Sequence, residues 1–81
     1  MKYKINITIS LKGGMLDPEA RAIQHALSNL GFNTENLSTA RLFKIDLEAE
    51  DKDAARARSE EMCERLLANP VIHSYTIEVH E

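Results

Sequence analysis

Residues 9 to 21 read ISLKGGMLDPEAR, and the fold turns on where this stretch changes its period. Leading into it, Tyr3, Ile5, Ile7, Ile9 and Leu11 alternate with Lys2, Lys4, Asn6, Thr8 and Ser10. That period of two predicts a strand with one buried and one wet face. Gly13 and Gly14 end it, because glycine accepts backbone angles that β-branched residues resist. Asp17 then reads as a helix N-cap, with Pro18 at the first helical position and Glu19 near the positive end of the helix dipole.

Downstream, Ala20, Ile23, Leu27 and Leu30 recur at helical spacing with Ala26 beside them, while Arg21, Gln24, His25 and Ser28 face away. Gly31 suits the left-handed position after the helix, and Phe32 folding back onto Leu27 would complete a Schellman ending. Alternation then returns, with Phe43, Ile45, Leu47 and Ala49 set against Lys44, Asp46, Glu48 and Glu50. Leu37 and Thr39 follow the same rhythm, but Ala40-Arg41 could hold a turn or a bulge, so residues 36–50 read as one strand or as a hairpin.

Asp51 predicts the cap of a second helix running to about Ala68, with Ala55, Ser59, Met62, Cys63, Leu66 and Leu67 on its inner face. Glu61 and Arg65 support it as an i, i+4 pair, and Asn69-Pro70 stops it. In the final strand Val71, His73, Tyr75, Ile77 and Val79 alternate with Ile72, Ser74, Thr76, Glu78 and His80. The order β-α-β(β)-α-β predicts one α+β domain over residues 1–81. Its economical form is a ferredoxin-like two-layer sandwich, with two helices on one face of a mainly antiparallel sheet. The polar residues of the strands then share the face that no helix covers, and that face or an exposed edge calls for a partner or for water.

A chain of 81 residues, 43% hydrophobic and 28% charged, has the composition of an ordinary globular domain near the lower size limit for an independent core. No apolar run nears the roughly 20 residues that span a bilayer, and the alternating start lacks the continuous apolar region of a signal peptide. A cytoplasmic setting is the expectation, which a single cysteine suits. The net charge of −3 and four aromatic residues argue against a nucleic-acid surface.

Lys12-Gly13-Gly14 before a helix invites a phosphate reading, but neither nucleotide-loop spacing is present and Asp17 occupies the cap where an anion would sit. His25 lies on the polar side of its helix, while His73 and His80 fall on opposite faces of their strand, so with Cys63 they do not converge as metal ligands. Glu48, Glu50, Glu60, Glu61 and Glu64 lie on solvated faces, and no serine sits in a nucleophile elbow. These residues predict no catalytic, cofactor or metal site.

The run LKGGMLDPEARAIQHAL with a following LGF, then ARLFKIDLEAE, then EEMCERLLANPVIHSYTIEV, resembles the PurS family across essentially the whole chain. Its most specific segments are Leu11-Lys12-x-Gly14-x-Leu16-Asp17-Pro18 and Met62-Cys63-Glu64-x-Leu66-Leu67-Ala68-Asn69-Pro70-Val71-Ile72. Gly13 stands where the family often has proline, Ala20 and Ala40 where it often has glycine, Leu42 where it often has tyrosine, and Ser59 where a valine-like residue is usual.

The resemblance implies a non-catalytic small subunit of phosphoribosylformylglycinamidine synthase, the ATP- and glutamine-dependent C–N ligase of purine biosynthesis. In such enzymes a glutaminase subunit releases ammonia. A large synthetase subunit uses ATP and magnesium to activate the formylglycinamide ribonucleotide amide, whose oxygen ammonia replaces. The small subunit, as a dimer or tetramer, joins the two and helps keep ammonia from escaping. No cofactor, nucleic acid or membrane is expected for this chain itself. The expected docking residues are Lys12, Gly13, Gly14, Asp17, Arg21, Arg41 and Asn69. The alternative class is a ferredoxin-like domain that senses small molecules between paired copies.

Overall fold

The computed structural model describes residues 1–81. In chain order the elements are β1 (Lys2–Leu11), α1 (Pro18–Asn29), β2 (Ala40–Glu48), α2 (Lys52–Met62), a π-helical turn (Cys63–Leu67) and β3 (His73–His80). The strands form one antiparallel sheet in the order β2-β1-β3, so the most apolar strand takes the centre. This is the expected α+β ferredoxin-like class. Residues 36–50 hold a single strand starting at Ala40, not a hairpin.

Register sets the chemistry of both sheet faces. On the helix-bearing face Ile45, Ile5 and Val79 lie in one row, and Phe43, Ile7 and Ile77 in the next. Ile5 and Ile7 are completely buried, each worth roughly 1.5–3 kcal/mol of burial. On the other face Lys44, Asn6 and Glu78 share a row, as do Asp46, Lys4 and His80, and the Ser10 and Ser74 hydroxyls meet at 3.3 Å.

Both helices start as their sequences dictate. Asp17 Oδ1 accepts the Ala20 N–H at 3.1 Å, and Asp51 Oδ1 accepts the Ala54 N–H at 2.8 Å. α1 ends in the expected Schellman geometry, with Phe32 N–H donating to the Leu27 carbonyl, Gly31 N–H to Ser28, and Gly31 at φ 95°. α2 lies over β1 and β3, burying Ala55, Ser59 and Cys63. The Ser59 hydroxyl donates back to the Ala55 carbonyl at 2.8 Å, so this one buried polar side chain is satisfied within its own helix.

The inner face of the second helix differs from expectation at Leu66, which is 83% exposed. Through the π turn the Ala68 N–H reaches the Cys63 carbonyl, five residues back, at 2.9 Å. The wider turn carries Leu66 outward and leaves Leu67 and Ala68 to continue the buried stripe.

α1 is the less covered helix. Only Ala20 of its apolar stripe is buried, and Ile23 and Leu30 face solvent. It is clasped instead to its own return segment: Gln24 Nε2 donates to the Thr34 carbonyl at 2.9 Å, and Thr39 Oγ1 to Asp17 Oδ2 at 2.7 Å. The molecule measures 51 × 25 × 16 Å with a radius of gyration of 16.1 Å, where a compact chain of this length has about 12 Å.

Candidate functional site

At the α1 end of the sheet the broken strand becomes a corner. Lys12 N–H donates to the Ile72 carbonyl at 2.8 Å, and its ammonium to the Pro70 carbonyl at 2.7 Å. Met15 N–H returns to the Lys12 carbonyl, with Gly14 at φ 86°, a left-handed angle that suits glycine. Gly13 has an ordinary angle and open space around it, so the backbone there does not require glycine.

Of the expected docking residues, Lys12, Gly13, Gly14 and Asp17 line one cleft of 320 Å³, closed on its far side by Leu37, Ser38 and Thr39. Arg41 projects from the helix-bearing face into an adjoining cleft of 430 Å³ beside Glu19, Leu67 and His73, with Asp17 and Thr39 shared between the two. Asn69 anchors the neighbouring turn: its N–H donates to His73 Nδ1 at 2.9 Å, and its side-chain oxygen accepts the Val71 N–H at 2.9 Å. Arg21 is not part of this group. It lines a separate polar cleft on α1 with Gln24, His25, Ser28, Asn33 and Thr34.

His73 and Thr39 belong to the corner but were absent from the expected set. The spacing of Asn69 and His73 across a proline turn is a local signal that could have found His73. Nothing local announces Thr39, which meets Asp17 from 22 residues away.

The electrostatics are those of a structural joint. The hydroxyl of Thr39, then the Ala20 N–H, hold the Asp17 carboxyl below its ordinary value of 3.8, outweighing the opposing effect of burial. A depressed carboxylate contributes stability that is fully present above its unfolded value and is lost as pH falls through the folded one. Stability should therefore drop below about pH 3.8 in a part that Asp17→Asn removes. Asn still caps the helix, whereas Asp17→Ala should lower the midpoint at neutral pH as well. Denaturant melts of the three proteins at pH 7 and pH 3 check both outcomes, and identical pH slopes in all three would rule out the linkage.

Elsewhere burial, reinforced by Glu60 and Glu64, pushes the Cys63 thiol up, so at neutral pH it is protonated and enclosed. His25, His73 and His80 lie on α1, the helix-bearing sheet face and the open sheet face respectively. What the chain does present is ordered loops, clefts of mixed polarity and uncovered apolar surface. Fold and site together define a small α+β domain of the ferredoxin-like class that leaves clefts and apolar surface open to contact.

Residues 4–81 match the PurS family, described as phosphoribosylformylglycinamidine (FGAM) synthase. The PurS subunit of that synthase from Methanocaldococcus jannaschii is 46% identical over 80 residues, covering 98% of this chain and 96% of the relative. The crystal structure of M. jannaschii PurS, one of the subunits of formylglycinamide ribonucleotide amidotransferase in the purine biosynthetic pathway, superposes with a TM-score of 0.89 at 45% identity, covering 98% and 96% of the two chains. A chain of the Thermotoga maritima PurLQS structure superposes at 0.90 with 26% identity, covering 98% of each. The chain belongs to the PurS family: it is a subunit of FGAM synthase, a component of a purine-biosynthetic ligase.

Proposed function

We propose that this chain is a connecting subunit without catalytic residues of its own. As a homo-oligomer it joins the glutaminase and synthetase subunits and helps ammonia pass from one to the other. ATP and magnesium act at the synthetase, this chain holds no cofactor, and the assembly works in the cytoplasm. Leaving the chain out of a reconstituted synthase tests this role, and the glutamine-driven reaction is the one that should fail.

One observation carries the self-association. The chain exposes 6268 Å², about 1,400 Å² more than the roughly 4,900 Å² of a compact monomer of this mass. That excess exceeds the roughly 800 Å² that each partner gives to a standard interface. The uncovered surface is also of two complementary kinds. α1 carries an apolar stripe without a sheet beneath it, and β2 carries Ile45 and Leu47 without a helix above them. Between β2 and the end of α2 lies a groove of 360 Å³, lined by those two residues with Met62, Leu66 and Leu67 and rimmed by Arg58, Glu61 and Arg65. α1 of a second copy seated there gives each sheet its second helix, and the exchange is reciprocal, as a two-fold dimer requires.

Sedimentation equilibrium at micromolar concentration should give at least the dimer mass. Ile23→Glu with Leu30→Glu should yield monomer or unfolded chain, because two charges would be carried into an apolar groove. A monomeric mass for the unsubstituted chain would overturn the self-association.

A further inference from the structure

The cleft of 430 Å³ behind the corner combines an apolar lining of Ile9, Leu11 and Leu67 with three polar groups that are not otherwise engaged. Arg41 and Glu19 both line it, yet neither belongs to the chain's two ion pairs, Met1 with Glu48 and Glu61 with Arg65. His73 accepts the Asn69 N–H at Nδ1, so in the neutral ring the proton sits on Nε2, and no other hydrogen bond occupies that nitrogen. Asp17, the remaining charge in the cleft, is already held by the Thr39 hydroxyl and the Ala20 N–H. The groove offered to α1 of a second copy lies toward the other end of β2, at Ile45 and Leu47, and meets this cleft only at Leu67.

Opposite charges that share an apolar cleft without pairing suit a molecule that carries both. We infer that this cleft binds a free α-amino acid with an aliphatic side chain. The Arg41 guanidinium takes the carboxylate in its planar fork, with the His73 Nε2–H as a second donor. Glu19 takes the ammonium, and the side chain lies against Ile9, Leu11 and Leu67. The volume falls within the roughly 300–1,000 Å³ of small-molecule sites, whose usual form is an apolar lining with a few convergent polar groups. A phosphate ester fits poorly, because Asp17 and Glu19 would stand against its charge. A simple carboxylate would leave Glu19 without a partner, and a simple amine would leave Arg41 without one. The polar cleft around Arg21 has neither an acid nor an apolar lining. In the cleft beside Met1, Arg58 faces Glu50 and a Glu48 already paired with the N-terminal ammonium, and no imidazole stands by as a second donor.

The test is titration of the whole chain with L-leucine, read by calorimetry and by the rise in melting midpoint that a ligand of the folded state produces. Leucine should bind. Isocaproate, which lacks the ammonium, and isoamylamine, which lacks the carboxylate, should each bind at least about tenfold more weakly. Glycine should also bind more weakly, having no side chain to lay on the apolar lining. Arg41 and Glu19 are exposed, so Arg41→Met and Glu19→Gln should keep the unliganded melting midpoint. Each should lose at least about tenfold for leucine, Arg41→Met leaving isoamylamine unaffected and Glu19→Gln leaving isocaproate unaffected. Arg58→Met, in the cleft beside Met1, should bind leucine as the unsubstituted chain does. The inference is overturned by no binding of leucine at millimolar concentration, by equal binding of leucine and isocaproate, or by loss of binding in Arg58→Met and not in Arg41→Met. The measurement uses this chain alone, so the connecting role stands or falls separately.

Discussion

A synthase reconstituted without this chain should lose glutamine-driven synthesis and keep ammonium-driven synthesis. The chain supplies no activated nucleophile: its thiol is enclosed and protonated, and its histidines stand on three separate surfaces. In the proposed role, activation of the amide and hydrolysis of glutamine belong to the other subunits. What a connecting subunit adds is proximity, which raises the local concentration of a diffusing intermediate without touching the chemistry. Free ammonium at high concentration bypasses that need. Measured with both nitrogen sources, each with and without the chain, the expected pattern is failure of the glutamine route alone. Failure of both routes would mean that the chain also supports the synthetase's own fold or active site, and connection would be too narrow a role. A full glutamine-dependent rate without the chain would refute its role in the enzyme.

Ile7→Ala should be the most damaging single substitution in the chain itself. Ile7 is completely buried at the centre of the middle strand, between Phe43 and Ile77. Truncating such a residue costs about 2–5 kcal/mol, because the surrounding sheet closes only partly over the cavity. A domain of this size has a total stability of roughly 4–12 kcal/mol, so a large part of it would go. Leu42→Ala, on the open face and half exposed, should stay within about 0.5 kcal/mol. Urea melts at one fixed chain concentration separate the two, since the proposed self-association would make the midpoint depend on concentration. A cost below about 1 kcal/mol at Ile7 would place the core elsewhere.

Element order, the inward rows of the three strands and both helix caps were legible in the sequence, because each rests on neighbours no more than a turn or a pleat away; the exception is Val71, expected to open the inward row of the last strand, which lies in the turn before His73 and is 76% exposed. Asp17 caps in the expected way through Ala20, and Gly31 ends α1 in the expected way through Leu27. Leu66 was misread for an equally definite reason. Its helical phase depends on a π turn, and the residues Cys63-Glu64-Arg65-Leu66-Leu67 carry nothing that distinguishes a widened turn from a regular one.

In the candidate site the sequence assembled Lys12, Gly13, Gly14 and Asp17 by adjacency and left Arg21 with them by the same adjacency. The structure sends Arg21 to another cleft, since a helix turns about 100° per residue and four positions beyond its cap place a side chain on a face fixed by packing. Arg41 and Thr39 join the corner only because the return segment brings β2 alongside β1, and His73 because β3 pairs with β1 opposite Leu11.

By itself, then, the sequence determined which residues form strands and helices and which face of each is apolar, since periodicity and capping are local physics. Only the tertiary structure decided how those faces are covered. α2 closes over β1 and β3, while α1 leaves the sheet with its own return segment, clasped by Gln24 and Thr39. An apolar stripe specifies that it must be buried, not by what, because the hydrophobic effect has no direction. The bonds that hold the return segment to α1, and the corner at Gly14 that leads into it, keep the helix off its own sheet, and the pattern of apolar residues does not encode them.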